Sequence, residues 1–184
     1  MRLVPPHVDL QRSYLEAVDE FGGAHRDGDG TWMWIDEAGT EHEFTRAELE
    51  TEAGFARFVH RRTDPHRPVP TGFVPSTFLW MEADGHYVGS LNIRHDLNDF
   101  LRHEGGHIGY SVRPSARRRG HATEALRQSL AVCRDLGLDR VLVTCDDDNI
   151  GSATVIGTNG GILDNRVRSE RDGRLVRRYW IDLT

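Results

Sequence analysis

The sequence contains no lysine, and arginine supplies all 23 of its basic residues. It has only two cysteines, Cys133 and Cys145, which indicates free thiols in a reducing compartment and not a disulfide framework. No run approaches the roughly 20 apolar residues that a membrane-spanning helix needs, and the first residues lack the apolar core of a signal peptide. We therefore expect a cytoplasmic protein that makes no use of a membrane.

Positive charge is scarce in the front part of the chain. Residues 1–75 carry 14 acidic and 8 basic side chains, whereas residues 76–184 carry 15 of each. Without a basic excess, nucleic-acid binding is not expected. The acidic front could attract a cationic substrate, although such surfaces usually only keep a protein soluble. The length of 184 residues fits one domain, residues 1–184, with a full core.

The hydrophobic pattern predicts an α/β protein. Thr45 and Glu48 form a capping-box pattern at the start of one helix, Asp9 is a candidate N-cap of another, and Asp84-Gly85 is a hairpin turn. In the front part, the pattern predicts a strand at 3–4, a helix at 9–21, a mobile loop at 27–30, a strand or buried loop at 31–35 and a helix at 46–62. In the middle, it predicts a hairpin at 76–83 and 87–94, a helical insertion at 96–105 and a strand at 108–112. The last part is predicted to contain a helix from 121 to 136, a strand at 140–145, a short helix at 149–160 and a hairpin at 162–168 and 174–182.

The most informative stretch joins a strand to a helix. Pro114 ends the strand Ile108–Val112, three arginines and Gly120 follow, and the helical pattern starts at His121. A glycine turn that opens a helix directs free backbone N–H groups and the positive end of the helix dipole at one point. A solvated basic turn is the alternative, but the flanking strand and helix favour a cradle for phosphate or pyrophosphate. The crossover to the next strand places this cradle at the carboxyl end of the sheet.

Two segments resemble the GNAT superfamily of N-acetyltransferases. Arg117-x-x-Gly120-x-Ala122, after a Gly-Tyr-x-Val-x-Pro strand, is similar to its acyl-CoA signature. The segment from Asn149-Ile-Gly-Ser152 to Gly160 is similar to its second conserved segment. The combination resembles a branch of predicted acetyltransferases whose acceptors are undefined.

The resemblance implies a mixed, mostly antiparallel central sheet flanked by helices, with a splayed strand pair that holds acyl-CoA. Helices within residues 9–62 would face the acceptor, and residues 76–184 would form the acyl-CoA-binding core. The implied activity is direct transfer of an acetyl group from acetyl-CoA, without a metal, to a primary amine of a small molecule or peptide. A homodimer is left open, since dimers are common among such proteins.

The resemblance also assigns residues to acyl-CoA binding. Backbone N–H groups of residues 118–123 would hold the pyrophosphate, the strand end at 111–113 would pair with the pantetheine arm, and the N–H of Val112 would stabilise the oxyanion. Asn149 and Ser152 would contact the pantetheine from the opposite side. The full set is Ser111, Val112, Arg113, Arg117, Arg118, Arg119, Gly120, His121, Ala122, Thr123, Asn149 and Ser152.

The sequence departs from the family at the position of the general acid. Seven residues after the asparagine, where most such enzymes have a tyrosine, it has Ile156. The leaving thiolate would then be protonated by Ser152, by Tyr110, by water or by no particular group. Candidates for the general base are Glu104, His107 and Glu82, and His95 is a less favoured candidate.

Two other functions compete with catalysis of acetyl transfer. Without the tyrosine, the chain could be an acyl-CoA-binding sensor or interaction module that transfers nothing. The sequence His103-Glu104-x-x-His107 matches the zinc-hydrolase pattern literally. That site needs both histidines on one helical face, and the two intervening glycines each disfavour a helix by about 1 kcal/mol. Zinc chemistry is therefore not expected.

Overall fold

The computed structural model describes residues 1–183, and a seven-stranded sheet runs through the molecule. Its order is β1-β4-β5-β6-β7-β9-β8, and only β6 and β7 are parallel neighbours. The strands are β1 (Arg2–Val4), β4 (Ser76–Ala83), β5 (His86–Arg94), β6 (Ile108–Val112), β7 (Arg140–Asp146), β8 (Ile162–Arg168) and β9 (Leu175–Asp182). A separate hairpin pairs β2 (Met33–Ile35) with β3 (Glu41–Glu43). The predicted mixed, mostly antiparallel sheet is confirmed.

Helices cover both faces of this sheet. They are α1 (Gln11–Phe21), α2 (Arg46–Glu50), α3 (Glu52–Thr63), α4 (His121–Asp135) and α5 (Ile150–Thr158). The front helices α1 to α3 enclose one core around Trp80 and Tyr87, whereas α4 and α5 enclose the other around Leu91 and Val143. Within residues 1–183, no helix is long and apolar enough to cross a membrane.

The structure corrects several sequence-based boundaries in the front part. The predicted helix at 46–62 is two helices, because the backbone of Thr51 is extended and its side chain caps a new start at Gly54 N–H. The capping box of Thr45 and Glu48 is present. Asp9 does not cap α1, which begins instead after a 3-10 turn at Val8–Leu10. The insertion at 96–105 contains one π-helical turn, Leu101–Gly105.

The loop predicted to be mobile is packed against the sheet. A side chain at Gly28 would place its Cβ 2.4 Å from the carbonyl oxygen of Gly109, so this close approach requires glycine. The next residue, Asp29, is fully buried and accepts hydrogen bonds from Tyr14 Oη (3.0 Å) and Ser90 Oγ (3.1 Å). Asp29 also pairs with the guanidinium of Arg26 at 3.0 Å. One carboxylate therefore joins α1, this loop and β5.

Replacing Asp29 should destabilise the protein far more than replacing a surface aspartate. Asp29→Ala leaves the Arg26 guanidinium and two hydroxyls without their acceptor in the interior, which costs about 3–5 kcal/mol. Asp19 is a matched control, because it pairs with Arg46 at 3.0 Å on the surface. Asp19→Ala should cost about 1 kcal/mol or less. Urea unfolding measures both, and equal losses would contradict a central role for Asp29.

Candidate active site

Strands β6 and β7 separate almost as soon as they meet. Their only paired position is Ile108 opposite Val143. One residue earlier, the ladder is extended by the N–H of His107, which donates to the carbonyl of Leu142 (2.7 Å), and by the imidazole Nδ1 of His107, which accepts from the N–H of Leu142 (2.9 Å). Beyond this point the two strands splay, as the sequence resemblance predicted.

The splay exposes backbone groups of β6 to the opening cleft. The carbonyl of His107 and the N–H of Arg113 bond to β5, so the odd-numbered residues of β6 face β5. The N–H groups of Tyr110 and Val112 consequently point towards β7 and the cleft. The carbonyl of Val112 is held by Arg117 Nε at 3.1 Å. The cleft thus has free strand donors where the sequence placed an oxyanion-stabilising N–H.

The turn after β6 leads into the start of α4. Arg118 (φ 62°) and Gly120 (φ 78°) both have left-handed backbone conformations. Within residues 1–183, no protein atom accepts a hydrogen bond from a backbone N–H of residues 118–123, and α4 has no side-chain cap. The left-handed conformation of a non-glycine residue costs about 1–3 kcal/mol. A turn with successive unpaired N–H groups has the geometry of an anion-binding nest.

The side chains of two predicted ligands in this turn have other partners. Arg113 pairs with Glu20 of α1 at 2.6 Å, and Ser115 donates to the same carboxylate from its N–H (3.1 Å) and from its hydroxyl (3.1 Å). The hydrogen bond from Arg113, together with those from Ser115, lowers the pKa of Glu20 to about 2. Arg117 holds the Val112 carbonyl, and its own N–H donates to Pro114. Arg113 and Arg117 therefore shape the turn with their side chains.

A pair of hydroxyls bridges the cleft from β6 to α5. Tyr110 Oη and Ser152 Oγ are 2.6 Å apart, and both residues are half-buried. Ser152 is oriented by Asn149, whose Oδ1 accepts from the Ser152 N–H at 3.0 Å and so caps α5. Ile156 is fully buried in the core. Burial raises the pKa of the Tyr110 phenol, although the hydrogen bond with Ser152 opposes this shift.

Glu104 and His107 lie at the end of the β6–β7 pair where the two strands are still hydrogen-bonded to each other. Both are buried; the carbonyl of Glu104 accepts from Thr144 Oγ1 at 2.8 Å. The Nδ1 of His107 is occupied by the Leu142 N–H, and burial, reinforced by the charges of Arg102 and Arg94, lowers the pKa of His107 to about 4. Their assignment as general bases stays a prediction, while His107 has a clear role in joining β6 to β7.

The other two base candidates lie away from the cleft. Glu82 on β4 is separated from β6 by β5 and pairs with Arg2 at 3.0 Å. His95 follows the end of β5 and shares a hydrogen bond of 2.8 Å with Thr77 Oγ1. Burial and the nearby Arg67 charge lower the pKa of His95. The sequence alone could not show which of these side chains lie near the cleft, because that depends on the order of the strands in the sheet.

The two histidines of the zinc-hydrolase pattern contact different parts of the molecule. His103 Nε2 lies 2.9 Å from the carbonyl oxygen of Arg168, whereas His107 bonds to Leu142. The π-helical turn that contains His103 ends at Gly106, whose φ of 64° starts the extended segment. In the part of the chain described, no three or more potential metal ligands form a cluster.

A second cavity lies on the face covered by the front helices, and its lining could not be read from the sequence. Its volume is about 310 Å³, and its walls come from the β2–β3 hairpin, α3, the connector before β4 and the π-helical turn. The proline-rich segment 65–75, which connects α3 to β4, has no sequence pattern that predicts a cavity wall. Among the wall residues are Asn92 and Arg94, whose strand pairs directly with β6.

The sequence profile of the GNAT acetyltransferase domain matches residues 3–162. The chain therefore belongs to the GNAT acetyltransferase family. No curated protein matches the chain significantly in sequence.

Solved structures of several acetyltransferases share this fold at low identity. RimJ of Mycobacterium smegmatis, in complex with CoA-disulfide, superimposes with a TM-score of 0.64 at 18% identity, over 98% of this chain and 80% of RimJ. RimL, a ribosomal L7/L12 alpha-N-protein acetyltransferase in complex with coenzyme A, gives 0.62 at 15% identity, over 98% and 92%. The microcin C7 self-immunity acetyltransferase MccE, in complex with acetyl-CoA and AMP, gives 0.61 at 13% identity, over 98% and 91%.

The buried imidazole at the closed end of the cleft should make stability depend on pH. The pKa of His107 is about 4 in the folded protein and about 6.5 in the unfolded chain. The unfolded chain therefore binds more protons below pH 6.5, and stability falls as the pH decreases from about 6.5 to 4. In His107→Asn, Oδ1 can still accept from the Leu142 N–H but does not titrate. Between pH 7 and pH 4.5, the free energy of unfolding of His107→Asn should fall by about 1–2 kcal/mol less than that of the unchanged protein.

Urea unfolding across this pH range measures the difference between the two proteins. His86→Gln is the control, since His86 is exposed. This variant should show the same pH dependence as the unchanged protein. Parallel curves for His107→Asn and the unchanged protein would contradict the proposed protonation of His107.

Proposed function

We propose that the protein is an acetyl-CoA-dependent N-acetyltransferase that transfers the acetyl group directly to a primary amine. The observation that carries this proposal is the cleft between β6 and β7, which opens towards the free N–H groups at the start of α4. An extended thioester donor fits the splayed strands, and its diphosphate fits the nest. The solved neighbours that contain coenzyme A or acetyl-CoA support the same ligand.

Diphosphate binding would depend on the backbone more than on individual side chains. The N–H groups of residues 118–123 have no protein acceptor within the described chain. The helix dipole adds positive potential at this point. Arg118 and Arg119 are exposed and form no ion pair within residues 1–183, so their charges supplement the nest. The sequence-based assignment of these residues to coenzyme A binding is retained as part of the proposal.

In the proposed reaction, the neutral amine attacks the carbonyl carbon of the thioester. The carbonyl oxygen becomes an oxyanion, which the Val112 N–H would stabilise, a contribution of roughly 3–4 kcal/mol in comparable sites. The C–S bond then breaks, and the electron pair stays on sulfur as a thiolate. The nitrogen loses its proton to water, the thiolate gains one from the enzyme, and the enzyme group recovers its proton from the solvent. The sum is an amide and free coenzyme A.

Tyr110 is the proposed donor of the proton to the thiolate. Ile156 cannot donate one, and the hydroxyl pair of Tyr110 and Ser152 crosses the cleft where the sulfur would leave. The phenol is protonated at neutral pH, so a proton is available, although the pKa raised by burial makes this proton harder to transfer. Ser152, oriented by Asn149, would accept from or donate to Tyr110 and fix the direction of its O–H.

Removing one backbone donor from the nest should weaken acetyl-CoA binding. His121 occupies the first position of α4, where proline is compatible with the helix but has no N–H and also strains the left-handed backbone of Gly120 before it. His121→Pro should raise the Kd about tenfold, whereas His121→Ala, which keeps the N–H, should change it about twofold or less. Calorimetry measures both, and circular dichroism checks the fold. Failure of the unchanged protein to bind acetyl-CoA would refute the proposed function.

Removing the phenolic hydroxyl should slow turnover without weakening donor binding. In Tyr110→Phe, kcat should fall about 10²-fold or more, because general-acid catalysis typically contributes 10²–10⁴-fold. In Ser152→Ala, the fall in kcat should be smaller, since Tyr110 keeps its proton. The KM for acetyl-CoA should change little in either variant. Thiol release with an amine acceptor measures both, and equal kcat for Tyr110→Phe and the unchanged protein would exclude Tyr110 as the acid.

A further inference from the structure

The cavity beside the front helices has an aromatic lining. Seven of the 15 aromatic residues in the chain contribute to its walls, which enclose about 310 Å³. Four large apolar side chains at this cavity are exposed, Met33 at 40%, Val69 at 40%, Phe73 at 58% and Phe100 at 44%. Exposed apolar side chains gathered around a concave surface indicate a binding site. The volume suits a small molecule.

The charges in this cavity are all of one sign. Its walls include Arg61, Arg62, Arg67 and Arg94 and contain no aspartate or glutamate. Within residues 1–183 none of these four forms an ion pair, although eleven other arginines do. Arginines are normally paired when they leave water. An unbalanced cationic charge inside an aromatic cavity therefore requires an explanation.

Three of these guanidinium groups are fixed in place by backbone carbonyls. Arg62, which is 6% exposed, donates to the carbonyls of Asp29 and Thr31 and stacks between Phe58 and Phe78. Carbonyl groups orient a guanidinium but carry no net charge, so the positive charge remains. Its Nε has no hydrogen-bond partner within the described chain.

The other two guanidiniums, which are half-buried, show the same arrangement. Arg67 donates to the carbonyl of Ser76, and Arg94 donates to the carbonyls of Gly105 (2.8 Å) and Gly106 (3.1 Å). Burial lowers the pKa of both residues, and the nearby Arg62 charge lowers that of Arg67 further. The charges of Asp64 and Asp27 oppose these shifts, but neither carboxylate forms an ion pair with these arginines within residues 1–183.

Arg61 differs from the other three, since it has no hydrogen-bond partner among the described residues. Its guanidinium lies 4.4 Å from the ring centre of Trp34, on the β2–β3 hairpin. Its replacement removes no hydrogen bond within the described residues and affects only the contact with Trp34. Arg57, one turn earlier on α3, pairs with Glu48 on the outer surface at 3.0 Å. The two residues form a matched pair for mutagenesis.

One wall of this cavity is formed by the strand next to β6. Asn92 and Arg94 belong to β5, and Asn92 pairs directly with Gly109 of β6. The side chain of Arg94 lies so close to Gly109 that an added Cβ would be 3.3 Å from its Nη2. Gly109 immediately precedes Tyr110, which carries one of the bridging hydroxyls. The cavity therefore adjoins the strand on which the proposed function places the thioester.

We propose that this cavity binds the acceptor, and that the acceptor is a small amine with an aromatic or branched apolar body and a carboxylate group. The inference rests on the proposed acetyl transfer and specifies its substrate class. The apolar body would lie among the aromatic rings, and the carboxylate would pair with the unbalanced arginines. Hydrophobic amino acids combine these three features.

The same arrangement disfavours polycationic acceptors. A polyamine needs carboxylates to replace its lost hydration, and no wall residue of the cavity supplies one. The acidic excess of residues 1–75 is therefore not directed at this site. Nearby arginines also favour the neutral form of an amine, and the neutral form is the nucleophile.

The test compares amino acids with the amines that lack only their carboxylate. The pairs are phenylalanine with phenethylamine, tryptophan with tryptamine, and leucine with isoamylamine, with spermidine as the polycation. Calorimetry in the presence of coenzyme A measures binding, and thiol release from acetyl-CoA measures transfer. At least one amino acid should bind and react about tenfold better than its matched amine. Spermidine should show no transfer above background.

The arginine variants locate the carboxylate contact. Arg61→Gln should lower kcat/KM for the preferred amino acid about tenfold, mainly through KM, and leave that for the matched amine within about twofold. Arg57→Gln should change neither value. The affinity for acetyl-CoA should be equal in all three proteins, which separates the acceptor site from the donor site.

The results separate the class of acceptor from the acetyl transfer itself. If acetyl-CoA binds but the matched amines or spermidine bind and react as well as the amino acids, the acceptor class is wrong and the acetyltransferase proposal stands. If no amino acid binds in the presence of coenzyme A, the acceptor class is again wrong. Equal effects of Arg61→Gln and Arg57→Gln would overturn the role of the cavity. If acetyl-CoA itself fails to bind, the proposed function fails first.

Discussion

The separation of β6 from β7 is the constraint on which the site depends. A parallel neighbour normally satisfies every second backbone group of a strand, but here the pairing stops after Ile108 and Val143. The backbone donors beyond that point require another partner. His107 fixes where the separation begins, because its side chain and main chain both bond to Leu142. A buried imidazole thus determines where the cleft between the two strands opens.

The front helices complete the site instead of merely covering the sheet. Glu20 at the end of α1 holds Arg113 and Ser115, immediately before the arginine turn. Asp29, in the loop after α1, anchors that loop to β5. Movement of α1 would therefore disturb both the turn that precedes the nest and the loop that lies on β6. Two carboxylates, Glu20 and Asp29, thus connect α1 and the loop after it to the turn before α4 and to β5.

The sequence was informative where local interactions decide the structure. The hairpin turn at Asp84-Gly85, the capping box at Thr45 and the start of a helix after Gly120 depend on nearby residues and were predicted correctly. The break at Thr51 was missed, because a second cap within a continuous helical pattern is decided by packing. The packing of the loop around Asp29 was also missed, since its partners lie far away in the chain.

The distribution of ion pairs could not be predicted from the sequence, yet it carries most of the functional information. All the basic residues are arginine, so composition does not distinguish one from another. Within residues 1–183 the structure pairs eleven of them with carboxylates, and the unpaired ones include Arg118 and Arg119 in the turn before α4 and the four arginines of the aromatic cavity. The two turn arginines are exposed, whereas Arg62 in the cavity is buried without a counterion, which lowers stability. Under the two proposals, a diphosphate would meet the first group and the carboxylate of an acceptor would meet the second.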